Sequence, residues 1–529
     1  MARTFLRVLG ATSTGAVAVG SVAAAALLAG PWADAVAGSG PGVAADPVRS
    51  VAVTPAPAQL VCPPAARLPA GADVGDSQFS AAPVQTTSQL VAGVLGTADT
   101  GARWGALGGE PARLHAGAQA TVHAGDPGRD GSVLQAQPVA GAPFRAAGVS
   151  VSATTAGDLR GLAAAPCAVP VISQWIVGGG TEVGSTAVLT VQNPSASTAT
   201  VTLDVYGPAG KVALGSQGAF VLGPGESAAT RLEAVAPDQR RIAVHVTSTG
   251  ARVTASLQVQ RLDGLVPQGV DVLGAGAQPS TSVAIAGLLS AGETLDDPRA
   301  PVLRLLAPGD TAGTARVTIY GTDGIARLRG AESVALEPGV VTDLPLGGLK
   351  AGGYGIVVDA DVPVVAAASF SRGAPVPDDA IVQGTPYDVA WQAGQPLPDP
   401  GMAAQAAVPA EVRSVLALTA VPEDRDAKPS GGATAVVRVY GLDGARLAEQ
   451  TLELVAGAVY RVAVASLVSD GTPALVSVDA GDGARVAWAL ELSAKDGSAA
   501  HERLVATLAP TPALPAPGAA RVVGVEARG

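Results

Sequence analysis

The stretch Val201-Thr202-Leu203-Asp204-Val205-Tyr206-Gly207-Pro208-Ala209-Gly210 alternates aliphatic with polar side chains, reaches an aromatic residue, and closes on Gly-x-x-Gly. Alternation with period two belongs to a strand with one face buried and one face wet, and the two glycines supply the turn that follows. The pattern returns as Val317-Thr318-Ile319-Tyr320-Gly321 with Gly324, and again as Val437-Arg438-Val439-Tyr440-Gly441 with Gly444. Each copy then runs through the same order. A turn follows at Gly223-Pro224-Gly225, Glu337-Pro338-Gly339 or Val455-Ala456-Gly457, and a Val-rich strand at Val244-His245-Val246, Ile356-Val357-Val358 or Val476-Ser477-Val478.

Short strands and turns in units of about 110 residues, without a sustained helical period, predict an all-β chain of tandem immunoglobulin-like β-sandwich domains. A propeller blade would need only about 40 to 50 residues. The three repeats are expected at 168–273, 283–393 and 412–508, with linkers at 274–282 and 394–411, the latter holding Pro396, Pro398, Pro400 and Pro409. Ahead of them, 48–167 reads as a less regular, β-rich N-terminal module, and 509–529 as a Pro/Ala-rich tail.

Composition fits this reading. The 529 residues are 48% apolar but only 3% aromatic and 15% charged, so the cores are built from short aliphatic side chains. With 67 Gly and 41 Pro, turn chemistry is abundant. A net charge of −11 and the absence of any Lys/Arg run longer than Arg240-Arg241 exclude nucleic acid as an expected partner, because phosphate binding needs a concentrated basic face.

Arg3 and Arg7 precede a weakly hydrophobic stretch from Val8 to Gly30, then Pro31 and Ala35-Val36-Ala37, which is the order of a secretory signal cleaved before Gly38. Retained instead as an anchor, residues 1–37 would be the only contact with a membrane. The exported reading places Cys62 and Cys167 in an oxidising compartment, where an even count predicts one disulfide.

Gly157-Asp158-Leu159-Arg160-Gly161-Leu162-Ala163-Ala164, Pro166-Cys167, Gln174-Trp175-Ile176-Val177-Gly178-Gly179 and Gln192-Asn193-Pro194-Ser195 resemble the actinobacterial secreted-protein family of domain of unknown function fifty-seven nineteen. The resemblance implies an exported, envelope-associated protein and carries no catalytic residues with it. The later repeats lack the Trp-Gly-Gly and Asn-Pro elements.

Nucleophile elbows, phosphate loops and His-Glu-x-x-His are absent from the sequence. His115 and His123 lack neighbouring ligands, Asp126-Pro127-Gly128-Arg129-Asp130-Gly131 lacks carboxylates at the later positions of a calcium loop, and Glu423-Asp424 with Asp426 reads as a solvated turn, so no metal and no cofactor is expected. Four aromatics are candidate ligand-stacking positions: Trp175 beside flexible glycines, and Tyr206, Tyr320 and Tyr440, which alternate out of phase with the aliphatic face. Their plainer reading is packing: Trp175 plugging the junction of module and first repeat, the tyrosines packing across strands beside a hairpin turn. The function expected is that of a non-catalytic exported scaffold or interaction protein of the cell envelope. Envelope proteins or polysaccharide are its partners in that reading. A glycan-binding or glycan-processing accessory protein is the alternative.

Overall fold

In the computed structural model, the residues described are 49–51, 57–68, 79, 84–97, 100–139, 141–481, 483–495, 503–515 and 520–522. The stretch read as a secretory signal lies outside them. Among the described residues the chain is all-β, with one four-residue helix, Leu232–Val235, and two short 3-10 turns. None of its helices is long and apolar enough to cross a membrane.

Residues 55–517 form one compact unit; the short antiparallel pair Arg49–Val51 and Ala520–Val522 belongs to a second. Inside the large unit each repeat builds two sheets that face each other across a core. In the repeat containing Tyr206, Ser173–Val177, Ala243–Thr249 and Ala199–Gly207 form one sheet, and Ser227–Arg231, Ser185–Gln192, Thr254–Asp263 and Val266–Leu273 the other. The aliphatic phase read from the sequence points between them: Val201, Leu203 and Val205 pack with Leu189, Val191, Val244, Val246 and Leu257, all fully buried or nearly so. The strand order of the repeat containing Tyr440 is the same, with Ala403–Ala407, Pro473–Ala480 and Ser430–Gly441 in one sheet and Val459–Ala463, Val412–Ala420, Val486–Ala494 and Val505–Leu508 in the other.

The repeat between them differs in one respect. Gly352–Gly373 is a single 22-residue strand that leaves one sheet and enters the other. In the flanking repeats a positive-φ glycine breaks the chain at this point, Gly250 (φ 84°) or Gly483 (φ 77°), whereas here Asp359-Ala360-Asp361 continues extended.

The N-terminal module proves to be a fourth copy, placed first. Ala58–Cys62, Ser132–Ala136 and Arg103–Ala106 form one of its sheets, and Ala120–Gly125, Thr86–Leu95, Arg145–Thr154 and Gly161–Pro166 the other, in the order found in the later repeats. Its counterpart of Tyr-Gly-x-x-Gly is Trp104-Gly105-Ala106-Leu107-Gly108. The four copies thus span 58–166, 173–273, 280–396 and 403–512. The Cys62–Cys167 disulfide joins the first strand of the first copy to the residue after its last strand.

Two stretches expected to be irregular carry strand. Gln395–Pro396 and Ala403–Ala407 lie in the segment read as a linker, and Thr511–Pro512 in the segment read as a tail pairs with Ala403–Ala407. Beyond it Leu514 bridges to Phe144 of the first copy. Proline at a sheet edge costs no ladder bond, which is how a Pro-rich stretch can still be paired.

The copies do not stand apart. One edge strand of each, Gly161–Pro166, Val266–Leu273, Tyr387–Ala393 and Val505–Leu508, packs on that of the next copy, and Val505–Leu508 packs back on Gly161–Pro166. The four copies close around these strands. Gly269 (φ 107°) lets two of them meet, since a Cβ there would fall 2.5 Å from the Val389 nitrogen.

Candidate functional site

The closure places two carboxylates where no water reaches. Asp271 interrupts the apolar run Val270–Leu273 and Asp388 opens Asp388-Val389-Ala390, and they are 1% and 0% exposed. Asp388 Oδ2 accepts hydrogen bonds from the Leu162 amide of the first copy (2.9 Å) and the Val505 amide of the fourth (2.8 Å), and its Oδ1 accepts from Val389 (2.9 Å). Asp271 Oδ2 accepts from the Trp391 amide of the third copy (2.8 Å), and its Oδ1 from Val272 (2.8 Å) and, at 3.5 Å, from Ala164 of the first. Two side chains therefore tie all four copies.

Burial pushes Asp271 up to about 8, against its three amide donors and helped by the neighbouring Asp388. Burial likewise raises Asp388 to about 7, opposed by its amides and by Arg160. Arg160 is itself buried and donates to the Tyr387 carbonyl (3.3 Å). Sequence reading passed over both aspartates because a strand pattern registers only alternation. The available signal was a lone acid inside an aliphatic run, which must find partners or stay protonated.

Polar contacts cross the other joints too, some buried and some at the surface. Between the first and second copies, buried Gln192 donates to the Asp130 carbonyl (2.8 Å). Between the second and third, Arg304 holds Asp343 with two bonds (2.8 and 3.1 Å), donates to the Gly179 carbonyl and lies over the Trp391 ring at 4.9 Å. Between the third and fourth, Arg425 pairs with Asp359 (3.0 Å) and Arg316 with Asp426. Between the fourth and first, Asp479 meets Arg145 (3.0 Å). The acidic turn at 423–426, read as solvated, is thus partly an interface element.

The candidate stacking aromatics lie buried. Trp175 is 5% exposed and packs with Tyr206, Val177 and Ala243 of its own copy against Leu306, Val341, Val365 and Ala367 of the next; its ring lies parallel to His245 at 4.0 Å. Its place corrects both expectations: it is no exposed platform, and the joint it fills is between second and third copies. The tyrosines follow suit. Tyr206 meets Leu306 and Val341, Tyr320 meets Val421, Val459 and Ala487, and Tyr440 lines the groove shared with Leu95 and Gln119 of the first copy. Tyr206 and Tyr320 leave the core of their own copy, as their phase requires, and are covered by the following copy, whereas Tyr440 belongs to the cluster that its own copy shares with the first. Exposures of 8%, 0% and 8% leave little of each ring accessible.

The remaining polar candidates have local partners. Asn193, the only asparagine in the sequence, is fully buried: its Nδ2 donates to the carbonyls of Ser197 (2.8 Å), Gly223 (3.0 Å) and Leu222 (3.2 Å), and its Oδ1 accepts from the Ser195 amide (3.1 Å) and hydroxyl (2.7 Å). Asp126 caps its own turn through the Gly128 amide (2.7 Å), and His123 stacks on Trp104 at 4.6 Å. Among the described residues, no three His, Cys, Asp or Glu side chains are grouped so as to hold a metal ion.

A family described as "Family of unknown function (DUF5719)" matches residues 122–465, from the first copy into the fourth. No curated protein matches the chain. Among solved structures, a Thermotoga maritima protein titled 1070 is similar over 22% of this chain and 93% of its own, at 21% identity and a TM-score of 0.17. The Anabaena sensory rhodopsin transducer is similar over 17% and 95%, at 16% identity and a TM-score of 0.14.

Proposed function

The chain belongs to the DUF5719 family of unknown function, and from that starting point we propose that it is a non-catalytic scaffold or interaction protein, exported to the cell envelope. In this reading each copy is an immunoglobulin-like sandwich, and the four act as one rigid body. The observation that carries the proposal is the use made of the buried polar groups. Asp271, Asp388 and Arg304 each bond across a boundary between copies. Buried, fully partnered groups of this kind lock geometry, because breaking one strands its partners without water. A single rigid body presents its outer loops and grooves at fixed spacing, which suits holding partners in register.

Export is supported by the Cys62–Cys167 disulfide, a bond that persists in oxidising compartments, together with the charge and hydropathy order of residues 1–37. The test is crosslinking in intact cells with identification of the captured partner, alongside fractionation. Reproducible capture of an envelope protein, with the chain in the envelope or medium, supports the proposal. A cytosolic chain with reduced cysteines overturns it.

A further inference from the structure

A cavity of about 260 Å³ lies at the seam of the third and fourth copies, beside the chain that joins them. Its walls are Ala286 of the third copy, Val486, Trp488 and Pro512 of the fourth, and Leu397 and Met402 from the joining chain. Among the described residues no Lys, Arg or His lines it, and its one carboxylate, Asp399, has 86% of its side chain in solvent and stands 3.8 Å from Arg485. A charged ligand would enter this space without a counter-ion, which burial penalises heavily.

One buried amide belongs to the same walls. Gln392 is 2% exposed and lines the cavity, yet among the described residues neither its Oε1 nor its Nε2 finds a hydrogen-bond partner. The other buried glutamines behave differently: Gln174, Gln192, Gln260, Gln268 and Gln405 each donate through Nε2 to a main-chain carbonyl. Nor is the Gln392 amide sealed in the packing, as the unpartnered Oε1 atoms of Gln268 and Gln405 are; both of its polar atoms keep open surface, and the cavity is what they open on. Buried polar groups are nearly always bonded. An amide left free on a cavity wall, with an acceptor and donors side by side, is complementary to a second amide.

We propose that this cavity binds a small uncharged molecule made of one secondary amide and an apolar ring or branched chain. Its N–H donates to Gln392 Oε1, its carbonyl accepts from Gln392 Nε2, and its apolar end packs against Trp488 and Leu397. Ligand pockets are commonly of this kind, mostly apolar with few placed polar groups, and the volume lies below the range of about 300 to 1,000 Å³ that takes drug-sized ligands, which limits it to one such unit. A sugar fits poorly, because Gln392, Gln395, Asp399 and the Trp488 indole are the only side chains on the walls with hydrogen-bonding atoms to offer its hydroxyls. The site stands on the cavity and its amide and does not depend on the scaffold reading.

The test is a ligand-observed NMR titration of the full chain with N-benzylacetamide, which has one secondary amide and no charge. Benzyl acetate, its ester counterpart without the N–H, and N-acetylglucosamine are the comparators. N-benzylacetamide should bind saturably and at least tenfold tighter than either, since the ester leaves Gln392 Oε1 without its donor and the sugar brings hydroxyls the walls do not satisfy. Gln392→Met, which removes no side-chain hydrogen bond within the chain, should leave the melting temperature unchanged or raised and bring the amide down to the affinity of the ester. Absence of saturable binding by N-benzylacetamide, equally tight binding of benzyl acetate or N-acetylglucosamine, or a preference for the amide that survives in Gln392→Met overturns the proposal.

Discussion

Replacing Asp388 with alanine should loosen three copies at once. The carboxylate accepts amide hydrogens from Leu162, Val389 and Val505, which belong to the first, third and fourth copies. At 0% exposure no water takes its place, and each stranded buried donor costs about 1 to 3 kcal/mol. Three together give on the order of 3 kcal/mol even at the low end, and Arg160 also loses the opposite charge beside it. Three kcal/mol is more than a hundredfold in an opening equilibrium. The assay is native-state amide exchange, because it reports each amide separately: Leu162 and Val505 should exchange about a hundredfold faster, although both lie more than a hundred residues from the substitution. Asp388→Asn, which keeps the volume and one acceptor oxygen, should fall between. If Leu162 and Val505 keep their wild-type protection in a folded Asp388→Ala protein, the carboxylate does not couple the copies and the reasoning fails.

The same hub sets a pH dependence. Asp271 and Asp388 titrate near 8 and 7 in the folded chain, above the ordinary range of about 4, so the native state holds the extra protons. Their contribution is complete below about pH 4 and is lost as pH rises through 7 and 8. Urea midpoints should fall from pH 5 to pH 9, and a D271N/D388N chain should show a flatter profile; a wild-type midpoint that rises over that range contradicts the assignment. Asn193→Ala removes five hydrogen bonds from a buried site and should cost about 2 kcal/mol or more by denaturant titration. Trp175→Ala should cost about 3 to 5 kcal/mol as a core truncation, and an unchanged melting temperature would mean that the ring does not fill the joint. Thiol titration of the folded, oxidised protein should find no free cysteine. Breaking the bridge as C62S/C167S should cost about 4 to 5 kcal/mol by the chain-entropy estimate for a loop of separation 105.

Much of the fold was legible in local pattern, because alternation is a property of a single strand. The phase of Val201, Leu203 and Val205 marked their inward face, and Tyr206 stood out of phase as the structure has it. The first copy escaped notice because its counterpart strand, Arg103–Ala106, is only four residues long and carries Trp104 where the others carry tyrosine. Too few alternations were left to show a period, though Trp-Gly-x-x-Gly was there to be matched. The central ties were invisible for another reason: Leu162, Asp388 and Val505 come from three different copies, and no spacing joins them.

Sequence alone determined the strands, the turns, the repeated unit and the pairing of two cysteines, all of which follow from side-chain period, glycine conformation and count. Tertiary structure decided what covers the outward faces. An out-of-phase tyrosine and a lone aspartate in an aliphatic strand read identically whether water or a neighbouring copy lies against them, since the pattern encodes only which face a residue is on. Closure of four copies around these edge strands made those faces interior, turning Tyr206, Tyr320 and Tyr440 into joints and Asp271 and Asp388 into the ties that hold the ring.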